Sequence, residues 1–416
     1  MANELLTSTD IARESLRLLH AKLGFIRSIP KKHSKEFAKT GAKVGDTVEV
    51  RLPNQYTIRT GRMFNPQEMI ERTKEIKLNN QIGVDLKFSS TDLTLSLDKF
   101  SERYLYPAMS VLASWIETEV FRLTRHVPSI ALVNTLTLRN ILEAKDWLDA
   151  QFAPPGKRHV QMALSHEGHI KREMRERYNP KKVISRIYRE REITRISGFN
   201  PFVSTLIPEQ EVIPINEKNK GRQSLRLMDV GAEDQKTTGY NQAKRVFPQV
   251  LKEGETFSFN KCMAVHPETR QSMGTLQRFV VTKVDRESKS IKYTFWPGII
   301  KEPPYQNVMF TDDLDFSKAM NVNFMGYPDP DPDHVKNNAK AHYDQSLFYQ
   351  PEAFCFVTAD LPMPDGVDFS AREEVDGISM RVVRDYDEDE DDMITRVDVL
   401  FGFEALIPNF ACRIIS

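Results

Sequence analysis

Histidines and carboxylates at short spacing are the first residues to weigh for chemistry. His166-Glu-Gly-His169 sets two imidazoles three residues apart. The zinc-hydrolase arrangement needs them four apart on one helical face, with a third ligand supplied from elsewhere. Asp329, Asp331 and Asp333 alternate like the opening of an EF-hand loop, but His334 takes the place of the turn glycine and Lys340 that of the closing glutamate. Cys262, Cys355 and Cys412 are far apart, odd in number and never paired as Cys-x-x-Cys. Neither a disulfide framework nor a zinc ribbon is supported, and a reducing site of synthesis is implied. Phosphate-cradling Gly-x-x-x-x-Gly-Lys-Ser/Thr, Gly-x-Gly-x-x-Gly and Gly-x-Ser-x-Gly patterns do not occur. The expectation is no catalytic residue, no metal and no cofactor: not an enzyme.

Charge is informative in its distribution. Lys plus Arg and Asp plus Glu both number 58, so the formal net charge is zero, which argues against a free-standing nucleic-acid binder. Residues 171 to 195 carry ten Lys/Arg against four Glu, and every residue from Asp385 to Asp392 except Tyr386 is acidic. A basic helical face is usually solvated or paired with acidic neighbours, and an acidic run between two strands reads as a solvated hairpin tip. The tip could also hold a divalent cation or meet a basic patch on another subunit.

The elements that position these residues follow from hydrophobic period. A chain of 416 residues exceeds one core, at about 150 residues per domain. No apolar stretch reaches the roughly 18 to 20 residues of a membrane span, and residues 1–10 show no signal-peptide pattern. Thr7-Ser-Thr-Asp10 opens an amphipathic helix ending near Gly24, short enough to read as an arm that packs on something else. Val48, Val50 and Leu52 alternate with polar residues as a half-buried strand. With the extended pieces at Ile76–Leu78 and Val84–Phe88 they predict a long two-stranded excursion carrying Arg51, Arg59 and Arg62.

From Asp98 to Thr124 the apolar stripe Leu105, Met109, Leu112, Ile116, Val120 and Leu123 predicts a spine helix, with Glu117, Glu119 and Arg122 opposite and Pro107 starting or kinking it. A helix near Leu138–Gln151, an extended His159–Leu164, a helix from Glu167 and a strand at Ile196–Val203 follow. Residues 222–345 then read as a small all-β module, with strands at Thr256–Phe259, Leu276–Lys283 and Ser290–Phe295 and a core of Phe257, Phe259, Phe279, Val281, Tyr293 and Phe295. Tyr327 to His334 reads as a stiff connector. Strands at Ile378–Arg384, Met393–Leu400 and Ala411–Ile415 close an α+β chain.

Four segments carry a resemblance. Gly83 to Tyr104 looks like the entry into a spine helix. Val265 to Thr282 is similar to an inserted β module, and Ala353 to Pro362 and Val399 to Pro408 to closing strands. In content and order they resemble the coat-protein family of the Salmonella podovirus P twenty-two, built on the Hong Kong 97-type capsid fold. The basic stretch at 171–195 and the acidic tip at 385–392 are stronger than that family's pattern. The resemblance implies an N-terminal arm (1–40), an extended loop (41–85), a peripheral domain with the spine (86–130 and 394–416), an axial domain (131–221 and 346–393) and an inserted barrel-like domain (222–345). It further implies pentamers and hexamers of an icosahedral shell, with scaffolding protein, portal protein and packaged double-stranded DNA as partners, and no membrane. The subunit would be made in a bacterial host's cytoplasm and end in the virion. Arg51, Arg59, Arg62, Asp385 and Asp389 are the candidate subunit-interface residues. The alternative is an encapsulating compartment of the same fold housing protein cargo; a nucleic-acid-binding or enzymatic protein with a barrel module is a third reading.

Overall fold

The computed structural model describes residues 8–34, 46–59, 61–64, 66, 71–89, 97–177, 195–212, 224–228, 241–245, 251–286, 291–311, 320–324, 341–387 and 392–416. Two compact units share the chain. One takes Met1–Val50, Glu75–Phe121 and Phe354–Leu406; the other takes Arg51–Lys74, Arg122–Ala353 and Ile407–Ser416. The fold is mixed α and β.

The first unit begins with α1 (Ser8–Lys22) and α2 (Gly24–Arg27), whose Ile11, Leu16, Leu19 and Ile26 are buried, as is Leu23 between them. The expected cap at Thr7 lies outside the described residues. α1 ends at Lys22, near Gly24 as expected, and Gly24 opens a further short helix, α2. Then come β1 (Lys31–Ser34), β2 (Thr47–Arg51), β3 (Thr73–Lys77) and β4 (Asn80–Ser89). β2 pairs with β3, but β4 takes no part in that excursion. It pairs along its length with a strand some three hundred residues later, which local alternation could not reveal.

α3 (Leu97–Phe100) leads through a π-helical turn, Ser101–Leu105, into α4 (Tyr106–Phe121). The widened turn falls just before Pro107, whose missing N–H would otherwise interrupt the ladder, and Tyr106 N–H bonds to Ser101 O instead. Every member of the expected apolar stripe is buried. Glu117 and Glu119, expected on the wet side, are only 6 % and 8 % exposed. The solvent side carries Val111, Ser114, Trp115 and Thr118 instead.

The second unit contains β5 (Ser129–Leu132), α5 (Leu138–Ala150), β6 (Arg158–Met162), α6 (Leu164–Arg177), β7 (Phe199–Val203) and β8 (Gln210–Val212). Thr137 and Asn140 form a capping box that starts α5. Leu164 begins α6 rather than ending β6. Most of the basic stretch, from 178 to 194, lies outside the described residues.

Next come β9 (Ser224–Met228), β10 (Asn241–Arg245), β11 (Thr256–Phe259), β12 (Cys262–Val265), β13 (Ser272–Leu276), β14 (Phe279–Arg286), β15 (Ile291–Trp296), β16 (Val308–Phe310), β17 (Met320–Phe324), β18 (Ala341–Tyr343) and β19 (Gln345–Tyr349). A closed barrel runs β10-β15-β14-β11-β17-β9, and β13-β12-β16 form a separate small sheet. Phe257, Phe259, Phe279, Val281, Tyr293 and Phe295 fill one buried cluster, as their alternation predicts, with ring centroids of Phe257 and Phe279 5.7 Å apart. Thr256 and Ser258 are buried too, so β11 alternates in chemistry but not in burial. The single strand expected at 276–283 is broken at Gln277–Arg278. Gln277 N–H bonds to Cys262 O, and the Arg278 guanidinium reaches Ser129 O at 3.2 Å and lies over the Trp147 ring.

β20 (Phe354–Ala359), β21 (Phe369–Val375), β22 (Ile378–Asp387) and β23 (Asp392–Ala405) return to the first unit, and β24 (Ala411–Ile415) to the second. The first unit's sheet runs β1-β20-β23-β22-β21, with β4 also on β23, and the second's runs β5-β24-β19-β6-β7. β23 alternates in burial up to Val397 and is buried on both faces through Gly402. Gly83 faces Asp398 across the β4–β23 ladder, where a Cβ would stand 2.4 Å from Asp398 Oδ1 and 2.5 Å from Val397 O. Only glycine lets the strands approach this closely.

In the second unit, fully buried Arg413 binds the barrel's approach to the sheet. Its guanidinium donates to Gln210 Oε1 (2.7 Å), Gln345 Oε1 (3.0 Å), Val127 O (2.8 Å) and Gly254 O. Gly254 sits at φ +86°, where a Cβ would meet Gln210 Oε1 at 2.8 Å.

Candidate assembly surface

His166, the first histidine weighed for chemistry, is structural. His166 is buried between two serines, its Nδ1 2.6 Å from Ser346 Oγ and its Nε2 on Ser416 Oγ, and burial holds it below the ordinary imidazole range. Asp329, Asp331 and Asp333 lie outside the described residues. Among the described residues no group of three or more His, Cys, Asp or Glu could hold a metal ion. All three cysteines are buried, which pushes Cys262 up to about 12, Cys355 up to about 11 and Cys412 upward as well. They are poor nucleophiles at neutral pH.

The loop after β2 has a different character. Its stem is rooted in a core: Val50, Ile76 and Leu78 pack with Cys355, Val357 and Leu400. Leu52 N–H bonds to Arg72 O, the Arg270 guanidinium donates to Gln55 Oε1 at 3.2 Å, and that of Arg72 lies 5.0 Å from the Tyr305 ring centre. The stem of the excursion is thus supported from within the chain, and its tip is exposed. There Tyr56, Ile58, Met63 and Phe64 stand in solvent, Ile58 at 92 % and Phe64 at 87 % exposure. Four large apolar side chains exposed within nine residues are not the scatter normal for a monomer's surface.

The three arginines are distributed along this loop. Arg51 ends β2 beside Glu71 at 3.7 Å, both exposed. Arg59 Nη1 donates to Met63 O at 2.5 Å, closing the tip on itself. Arg62 is exposed between Gly61 and Met63. The apolar partners of these arginines escaped the sequence reading, although Tyr56, Ile58, Met63 and Phe64 in a stretch free of strand or helix period are a signal that could have found them.

Asp385 lies on β22, exposed and registered with Ile394 of β23. The two strands extend into the acidic run as far as the pair Asp387 and Asp392, where Lys87 of β4 reaches Asp392 at 2.9 Å. Asp389 lies outside the described residues. Tyr386 and Ile394 are exposed beside Asp385, so this end of the sheet also mixes charge with apolar area.

No family model matches the chain, and no curated protein does. The resemblance to the P twenty-two coat-protein family thus rests on the four quoted segments alone. Solved structures similar to the chain include the capsid of Ralstonia phage GP4 (TM-score 0.43, 7% identity, covering 99% of this chain and 93% of that one). Another is the capsid of the cyanophage P-SCSP1u (TM-score 0.41, 7% identity, 93% and 86%). A third is the virus-like particle from Pyrococcus furiosus (TM-score 0.39, 8% identity, 98% of both chains). Among the described residues no helix is long and apolar enough to cross a membrane.

Proposed function

We propose that this chain is the major capsid protein of a tailed double-stranded-DNA phage, a shell-building subunit and not an enzyme. The observation that carries the reading is the loop after β2: a stem locked into its own chain and a tip that offers Tyr56, Ile58, Met63 and Phe64 to solvent on either side of Arg59 and Arg62. Such a tip needs a cover, and in a shell the cover is another copy. Arg51, Arg59 and Arg62 would steer that contact, with Asp385 and Asp389 as acidic counterparts on a neighbouring copy.

The domain reading assigns 1–40 to an arm and 41–85 to the loop. It gives 86–130 with 394–416 to a peripheral domain, 131–221 with 346–393 to an axial domain, and 222–345 to an insertion. Val212, ahead of the insertion, pairs antiparallel with Ala341 near its end, which supports its reading as an inserted module. Heterologous contacts would close pentamers and hexamers and then an icosahedral shell around phage DNA. Scaffolding and portal proteins would be the assembly partners.

The test is sedimentation and electron microscopy of the full chain at micromolar concentration with its scaffolding protein. Megadalton shells are expected, and a persistent monomer overturns the reading. Cargo enzyme in place of DNA inside shells isolated from the natural source would turn it into the encapsulating-compartment alternative.

A further inference from the structure

A carboxyl group is buried beneath the N-terminal segment. Glu117 projects from α4, and its Oε1 accepts the Phe25 N–H at 2.6 Å. The N–H groups of Gly24 and Ile26 face it as well. Aromatic rings surround the junction: Phe25 stacks on Phe121 at 4.8 Å and meets Phe354 edge-on at 5.7 Å. Other polar contacts also fasten the segment, whose apolar Ile11, Leu16, Leu19 and Leu23 are buried. Arg13 pairs with Glu373 at 3.4 Å, His20 and Lys31 share Asp376 at 2.9 and 2.6 Å, and Lys22 donates to the Tyr106 hydroxyl at 2.5 Å. β1 lies parallel along β20, with His33 2.8 Å from Asp360.

We infer that Glu117 is a proton-operated catch for the N-terminal segment Ser8–Ser34: its acid form seats α2 on α4, and its ionised form loosens the segment and opens the edge of β20. The physical reason is that a carboxylate in this aromatic pocket loses its hydration, and the backbone N–H groups restore only part of it. Burial thus raises the Glu117 carboxyl to about 7 against the opposing pull of those N–H groups and of Arg27.

The elements packed on α4 carry other charges: Asp10, Arg13, Glu14, Arg17, His20 and Lys22 on α1, Glu102 and Arg103 on the π turn, and Asp85 and Lys87 on β4, with Glu119 on α4 itself. Glu14 is engaged by Arg17 and Ser101, Lys22 by Tyr106 and Lys87 by Asp392. Arg27 is the charge that acts on Glu117. The catch stands independently of the capsid reading, because every contact in it is within one chain.

Hydrogen exchange of the full, unassembled chain tests it. With the open-state carboxyl at its ordinary 4.5 and the closed one at about 7, opening of residues 8–27 should increase about thirtyfold between pH 5.5 and 8.5 after correction for intrinsic exchange. Glu117→Gln keeps an oxygen acceptor without the titration and should abolish the increase, which also separates Glu117 from His20 and His33. Arg27→Gln, at an exposed position, should move the midpoint to higher pH, and it decides the matter with the wild type if Glu117→Gln does not fold. Opening that ignores pH in the wild type, or that keeps its full pH dependence in Glu117→Gln, overturns the inference.

Discussion

Substituting Gly83 by alanine tests a tight strand junction of the first unit. The added Cβ would meet Val397 O at 2.5 Å and Asp398 Oδ1 at 2.4 Å, about 1 Å inside ordinary contact. Val397 O is backbone and cannot rotate away, so β4 and β23 must part, and hydrogen bonds of about 2.9 Å fail at such a displacement. Asp398 is only 1 % exposed and is held by Arg381 at 2.5 Å and Arg396 at 3.2 Å. Overpacking costs about 1–3 kcal/mol, and breaking a buried pair outright about 3–5 kcal/mol. Partial yielding of both gives a destabilisation of about 3 kcal/mol. For a unit of this size that lowers the melting midpoint by roughly 6–12 °C. Calorimetry should show the loss, and hydrogen exchange should place it in β4 and β23. Gly168→Ala is the control: nothing lies within 4 Å of its added Cβ, and in the interior of α6 it should gain up to about 1 kcal/mol. A Gly83→Ala protein within about 1 kcal/mol of wild type would refute the register argument.

Reversing Arg59 and Arg62 to Glu should change stability by less than about 1 kcal/mol, because both sit at the exposed tip, yet impair assembly as scored by sedimentation; equal loss of both would assign the tip to the subunit's own core. Residues 222–345 expressed alone should give a dispersed amide spectrum and a cooperative melt, and Phe259→Ala should cost that melt about 3–5 kcal/mol; collapsed peaks would make the barrel dependent on the rest of its unit. Burial depresses both His159 and His166 below the ordinary 6.5, so the unfolded chain binds more protons than the folded one as pH falls through that value, and the urea midpoint should drop on acidification. His159 lies between the rings of Phe202 and Tyr349 at 5.6 and 5.7 Å, so His159→Phe should keep the packing and remove part of that pH dependence; an unchanged acid slope would count against it.

Period and punctuation in the chain were enough for much of the local structure. β11 and β24 occupy the expected residues, α5 starts at the expected Leu138, and all six apolar residues assigned to the barrel core share one cluster. These follow from near-neighbour physics: side-chain alternation, helical stripes and caps are written within a few residues of each other. The arginines of the loop were legible as charges on an extended excursion. Their apolar companions and the rooting of the stem were not, because both depend on what lies across from them.

Only tertiary structure decided the partners. β4 reads as one more extended piece until β23 supplies a ladder from Ser89 to Asn80. Gly83 has no meaning until Asp398 faces it, and Glu117 reads as a wet helical residue until α2 folds over it. His166 became a core residue through serines 180 and 250 positions away. The period of a sequence reports which face is buried. Which distant residue completes that face is set by how the whole chain packs, and no local window contains it.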